Sequence, residues 1–231
     1  MQRLGRAFSF LTNALFGLIL IGAVFPGTHR VVCPECFGLV EIAPRIWTDR
    51  PERRDEFLDL RRRAQATVAA FFEDRPPDPT TIFCTTKTCT ETFGIGGNGL
   101  SISDLVVMVS PGGLTIGTLT HEMTHSRLHR NMGPRNIWAQ PFPTWFDEGL
   151  ATHVAGHPRA LRAPTLGERD RVQQAQHFWQ WGATMRALGV RQAYAAAAAG
   201  VAEMEARFGR AGLLDIIDRA DRGEFIPAFS D

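Results

Sequence analysis

A chain of 231 residues that is 44% apolar and 21% charged has the make-up of a globular protein with one sizeable core, not of a disordered or fibrous one. Its formal net charge of +1 offers no electrostatic footprint for nucleic acid or an anionic surface. Almost all the positive charge is arginine, with Lys87 the single lysine, a compositional bias to which no function is attached.

At the N-terminus, Arg3 and Arg6 precede an uncharged apolar run of 18 residues, Phe8 to Phe25. That length lies near the lower limit for a membrane-spanning helix, roughly 17 to 25 residues. A cleaved signal peptide is the competing expectation, but Phe25 and Pro26 stand where small residues would be wanted. An uncleaved anchor over residues 1–30 is therefore preferred, with the arginines left in the cytoplasm and residues 31–231 exported as one domain. If the segment is cleaved, the domain is secreted.

Four cysteines follow, Cys33 and Cys36 in CPEC and Cys84 and Cys89 in CTTKTC. In an exported chain this even number predicts two disulfides, with all three pairings open. A thiol–disulfide role for CPEC lacks the surrounding βαβ pattern, and a four-cysteine zinc site fits the spacing only loosely.

Leu39 to Trp47 reads as extended, interrupted by Pro44. Pro51 then opens a helix in which Phe57, Leu60, Ala64, Val68 and Phe71 recur at helical spacing, giving one buried face. RPPDPT ends it, and strands are expected at Thr81 to Thr85 and Ser101 to Ser110. The intervening FGIGGNG lacks the spacing of a phosphate-binding fingerprint and reads as turn chemistry. A further helix carries THEMTHSRLHR and stops at Asn131-Met132-Gly133-Pro134. A short one carries PTWFDEGLATHVAG and closes at Gly156 and Pro158. Helices are then expected at Glu168 to Leu188, Val190 to Phe208 and Ala211 to Arg222; the alanine run Ala195 to Ala199 suits close helix packing.

Residues four apart share one face of a helix, so His121 and His125 can present two imidazole nitrogens to a single ion. Glu122 lies about 100° around the helix, beside the ion, where its carboxylate can take a proton from water. This is the mechanical content of the HExxH pattern: two zinc ligands and a general base. A hydrolytic zinc needs a third protein ligand. His129 continues the spacing, but two turns of helix, about 12 Å, separate it from His121. It is assigned to the surface or the core edge. The better third ligand is Glu148 in WFDEGLA, on a second helix antiparallel to the first. Gly149 and Ala151 would let these two helices approach, while Trp145, Phe146 and Leu150 anchor the second in the core.

HExxH followed by a helical WxxEGxA segment resembles the gluzincin peptidases of the peptidase MA-like families, over about Leu105 to Ala155. The resemblance implies an α+β zincin-like domain: a small mixed sheet, an active-site helix and a helical C-terminal part. It implies Zn2+ held by His121, His125 and Glu148, with Glu122 as base and a peptide or protein as substrate. Members related to aminopeptidases place a tyrosine about fifteen residues before a Phe/Leu-Gly ending. Tyr194, the single tyrosine, stands fifteen before Gly209. It would donate a hydrogen bond to the oxyanion, although Tyr-Ala-Ala-Ala replaces the usual Y-x-K-G. Leu105 to Val109 would be the edge strand that pairs with extended substrate. Asp147 and Thr152 would support the ligands; His153 and His157 lie beyond Glu148. The sequence thus predicts an anchored zinc peptidase acting outside the cytoplasm. The alternative is a non-catalytic zinc- or peptide-binding envelope protein of the same fold, which would have no need of Glu122.

Overall fold

The computed structural model describes residues 27–132, 140–156, 163–224 and 226. The apolar run Phe8 to Phe25 lies outside them, as do Gly133, Pro134, His157 and Pro158. Among the described residues, no helix is long and apolar enough to cross a membrane.

Among the described residues, five short strands form one mixed sheet. Strands β1 (Val40–Ala43) and β2 (Ile46–Thr48) pair antiparallel. The expected single extended stretch is thus a hairpin. Pro44 lacks the N–H to continue a ladder, and Arg45 takes positive φ (65°) with its N–H donated to Glu41 Oε1 at 2.8 Å. A 3-10 turn at Pro51–Arg53 leads into helix α1 (Arg54–Phe72). Phe57, Ala64, Val68 and Phe71 are buried as their spacing predicts, with Leu60 half-buried.

β3 (Thr80–Phe83) runs parallel to β2. The short helix α2 (Lys87–Phe93) follows, held by the disulfide Cys84–Cys89 and capped by Thr86 Oγ1, which accepts from Cys89 N at 3.2 Å. The other disulfide joins Cys33 to Cys36, so both pairings are local.

The stretch expected to be one strand, Ser101 to Ser110, is a second hairpin. β4 (Gly99–Ile102) and β5 (Val106–Val109) pair antiparallel around Ser103, which adopts φ 51°. The sheet order is β1-β2-β3-β5-β4. β5 is therefore internal, pairing with β3 on one side and β4 on the other. This corrects the expectation that Leu105 to Val109 forms the edge by the site; the edge is β4.

Successive side chains of a strand face opposite sides of its sheet. Val107 and Val109 join the main core with Phe57, Leu119 and Met123, while Val106 and Met108 join a smaller one with Phe93, Cys84 and Cys89. Helix α3 (Ile116–Leu128) packs on the main-core side, against β4, β5 and α1, which itself stacks Phe57 on Phe83 of β3. Helices α4 (Thr144–Val154), α5 (Leu166–Gln173), α6 (Phe178–Leu188) and α7 (Val190–Asp221) complete the domain. The expected helix Glu168 to Leu188 is thus two helices. The Gly209 backbone (φ 71°, ψ 171°) breaks α7 where the sequence separates Phe208 from Ala211.

Candidate metal centre

α3 is buried on nearly every side, with Thr118, Thr120, Thr124 and Ser126 inside alongside Leu119, Met123 and Leu128. It starts cleanly because Thr115 Oγ1 accepts from Thr118 N at 3.2 Å. Thr124 returns its hydroxyl to Thr120 O at 2.8 Å, which satisfies it without a partner outside the helix. This helix therefore holds polar side chains in a dry setting. His121, Glu122 and His125 are 5%, 8% and 8% exposed.

α4 crosses α3 and carries two adjacent carboxylates to the histidine row. His121 Nε2 lies 3.1 Å from His125 Nε2, 3.2 Å from Glu148 Oε2, and Glu148 Oε2 lies 3.6 Å from His125 Nε2. Nitrogen and oxygen ligands about 2.0–2.1 Å from a tetrahedral zinc are about 3.3 Å from each other. The three edges of this triangle bracket that value. Glu148 Oε2 is buried and has no hydrogen-bond partner of normal geometry, despite two imidazoles beside it. A buried carboxylate oxygen left in that condition is costly unless a cation faces it. The donor set therefore fits a divalent ion such as zinc: two imidazoles and one carboxylate meet at one point.

Asp147 supports this arrangement. Its Oδ1 is 2.8 Å from His125 Nδ1 and its Oδ2 is 2.9 Å from His129 Nε2. An aspartate at Nδ1 keeps the proton on that nitrogen and leaves the Nε2 lone pair of His125 for a ligand bond. Burial disfavours the charged form of His125, but Asp147 and Glu148 outweigh it and raise its pKa well above the usual 6.5. Burial likewise pushes the carboxylates up, and the histidines more than reverse it. Asp147 falls far below the usual carboxylate range, under the influence of His129 and His125. Glu148 is held at about 2, chiefly by its contacts with His121 and His125.

The general-base candidate sits at the sheet edge. A Cβ built on Gly99, the first residue of β4, would lie 2.6 Å from Glu122 Oε1 and 2.7 Å from its Cγ. The Glu122 carboxylate is therefore packed against the edge-strand backbone, in space that only glycine leaves open. The glycine-rich FGIGGNG loop carried that information, but in sequence it resembles any turn. Tyr194, on α7, sets its ring 5.8 Å from that of His121, with Trp181 of α6 edge-on at 5.3 Å. Residues 121, 122, 125, 148 and 194 are thus brought to one region from α3, α4 and α7.

Other expectations are revised by the geometry. Gly149 does not face α3: a Cβ there would lie 2.6 Å from Ala197 O, so its closeness serves α7 and the buried Ala195 to Ala197. Trp145, Phe146 and Leu150 anchor α4 in the core. His129 is half-buried at the core edge, as expected, and is in addition an Asp147 partner. Thr152 Oγ1 stands 3.5 Å from His121 Nδ1, the outer limit of a hydrogen bond. His153 belongs elsewhere, bonded to Glu205 at 2.5 Å.

No protein-family model, curated protein or solved structure matches the chain. The chemistry of the site has to be read from its own side chains.

Proposed function

We propose that the chain is a zinc-dependent peptidase of the gluzincin type, with His121, His125 and Glu148 as ligands and Glu122 as general base. The observation that carries this is the triangle of Nε2, Nε2 and Oε2 atoms at 3.1, 3.2 and 3.6 Å, one corner of it a buried carboxylate oxygen without a hydrogen bond.

Zinc held there supplies Lewis acidity, polarising a carbonyl and lowering the pKa of a water towards 7. Glu122 takes the proton of the attacking water and passes it to the departing amide nitrogen, two tasks for one carboxylate. Its buried position against Gly99 limits the solvent that competes for that proton. Asp147 holds the His125 ring in the tautomer and orientation a ligand needs. Tyr194, beside His121, donates to the oxyanion as the carbonyl becomes tetrahedral. The substrate is an extended peptide laid along the outer edge of β4, with its main chain completing the ladder next to Glu122. We place this domain outside the cytoplasm, tethered by the Phe8 to Phe25 run; two disulfides accord with an oxidising compartment.

The test is paired. The purified full chain should hold one zinc and cleave members of a peptide library, whereas Glu122→Gln should hold zinc and cleave none. Stoichiometric zinc with no cleavage by the wild type would instead establish the non-catalytic, binding form of this fold.

A further inference from the structure

We infer that His129 is a positioning residue for the metal site, acting on His125 through Asp147. This rests on the zinc reading above and extends it by one layer.

The observation is a chain of hydrogen bonds that uses both oxygens of one carboxylate. Asp147 Oδ1 meets His125 Nδ1 at 2.8 Å, and Asp147 Oδ2 meets His129 Nε2 at 2.9 Å. His129 is itself fixed. Its carbonyl accepts from Ser103 Oγ at 3.3 Å and from Met132 N at 3.0 Å, and its side chain is only 19% exposed. A carboxylate held by one partner can rotate about its last torsion, which is broad and roughly two-fold. One held at both oxygens by two fixed rings cannot turn without breaking a charge-assisted bond. His125 lies in the last turn of α3 and His129 caps its C-terminal end, opening the 3-10 turn His129–Asn131, with ring centroids 5.8 Å apart, so the helix end sets the span that Asp147 bridges. The tautomers follow: His125 donates from Nδ1, His129 donates from Nε2, and Asp147 accepts from both.

His125, His129 and Asp147 also form a cluster that could hold a cation of its own. Two distances argue against it. Separations of 2.8 and 2.9 Å are those of hydrogen bonds, shorter than the edge of about 3.3 Å that a tetrahedral ion imposes. The ligand triangle, at 3.1 to 3.6 Å, lies around that edge. The three-histidine ladder of the sequence thus divides into two ligands and one support.

The experiment measures zinc affinity by chelator competition on the purified full chain, with zinc stoichiometry, for wild type, His129→Leu and His129→Gln. Loss of an outer partner of a zinc-bound histidine typically weakens binding by about 10- to 100-fold. His129→Leu, one step further from the ion than such a partner, should lose up to roughly tenfold, the low end of that range. His129→Gln, whose amide N–H can reach the place of Nε2, should recover most of it. At saturating zinc, His129→Leu should lower kcat and leave KM near the wild-type value, because the metal geometry and not the substrate groove is disturbed. Equal zinc affinity in all three proteins overturns the inference while leaving the metal site standing. Two zinc ions per chain, one of them lost in His129→Leu, overturns it in favour of a second cation site. A wild type that binds no zinc removes the underlying metal reading, a failure distinguishable from both.

Discussion

Gly99 and Glu122 show how much of this site depends on single atoms. A methyl group on Gly99 would sit 2.6 Å from the Glu122 Oε1, inside any permitted contact. Because Gly99 lies in a strand without positive φ, alanine adds no backbone strain there and tests the contact alone. Gly99→Ala should displace the carboxylate, keep zinc stoichiometric, and lower kcat by about tenfold or more, a part of the 10²–10⁴ a general base supplies. Steady-state kinetics beside metal analysis checks this; unchanged kcat would show that Glu122 works from elsewhere. The meeting of His121 and His125 was legible in the sequence because helix geometry alone converts their four-residue spacing into a shared face, with Glu122 about 100° around from it. Glu148 could be singled out because a hydrolytic zinc would need a third ligand and this carboxylate lies on a helix anchored by Trp145, Phe146 and Leu150. Gly99 could not be, since its role is to be empty, and that needs the neighbouring strand and helix together. His129 lies at the core edge as its position suggests, but its link to Asp147 was not legible, because it crosses between two elements separated in sequence.

At the scale of elements, α4 is the part that must be placed most accurately, since it delivers Glu148 and Asp147 together. Its position is fixed from behind by α7. Gly149 faces Ala197 O at a distance a Cβ could not tolerate, and the neighbouring Val201 Cγ2 would be 3.1 Å away. The alanine run read as helix packing is the surface α4 lies on, so low complexity here is shape. Gly149→Ala should push α4 off α7 at a cost of about 1–3 kcal/mol. In a chain of this size each kcal/mol lowers Tm by about 2–4 °C. Zinc affinity should fall in the same variant, because Glu148 precedes the displaced residue; calorimetry with and without zinc reads both effects. The hairpins were the weakest point of the sequence reading. Extended structure was expected across Ser101 to Ser110 and β5 lies within it, but the reversals at Arg45 and Ser103 use positive φ in non-glycine residues, which no turn signature announces. The consequence reached the site, because the reversal at Ser103 is what makes β4 the edge.

Across the whole molecule, the same buried charges make opposite demands depending on whether zinc is bound. Without metal, the raised pKa of His125 contributes stability that is fully present below 6.5 and is lost as pH rises through its folded value. The lowered pKa values of Asp147 and Glu148 contribute stability present above the ordinary carboxylate values of 3.8 and 4.5, lost as pH falls towards their folded ones. Metal-free protein should therefore be most stable between about pH 4.5 and 6.5 and weaken on the alkaline side. On the proposed reading zinc should reverse that slope, since it would bind only deprotonated imidazole and compete with the proton on His125. Its stabilisation follows the ratio of free zinc to an apparent Kd that tightens as the proton leaves. The Tm of protein in chelator and protein in zinc should thus converge at mildly acidic pH and separate steadily as pH rises above 6.5. Curves offset by a constant amount at every pH would mean that zinc displaces no proton from His125, and would remove that imidazole from the ligand set.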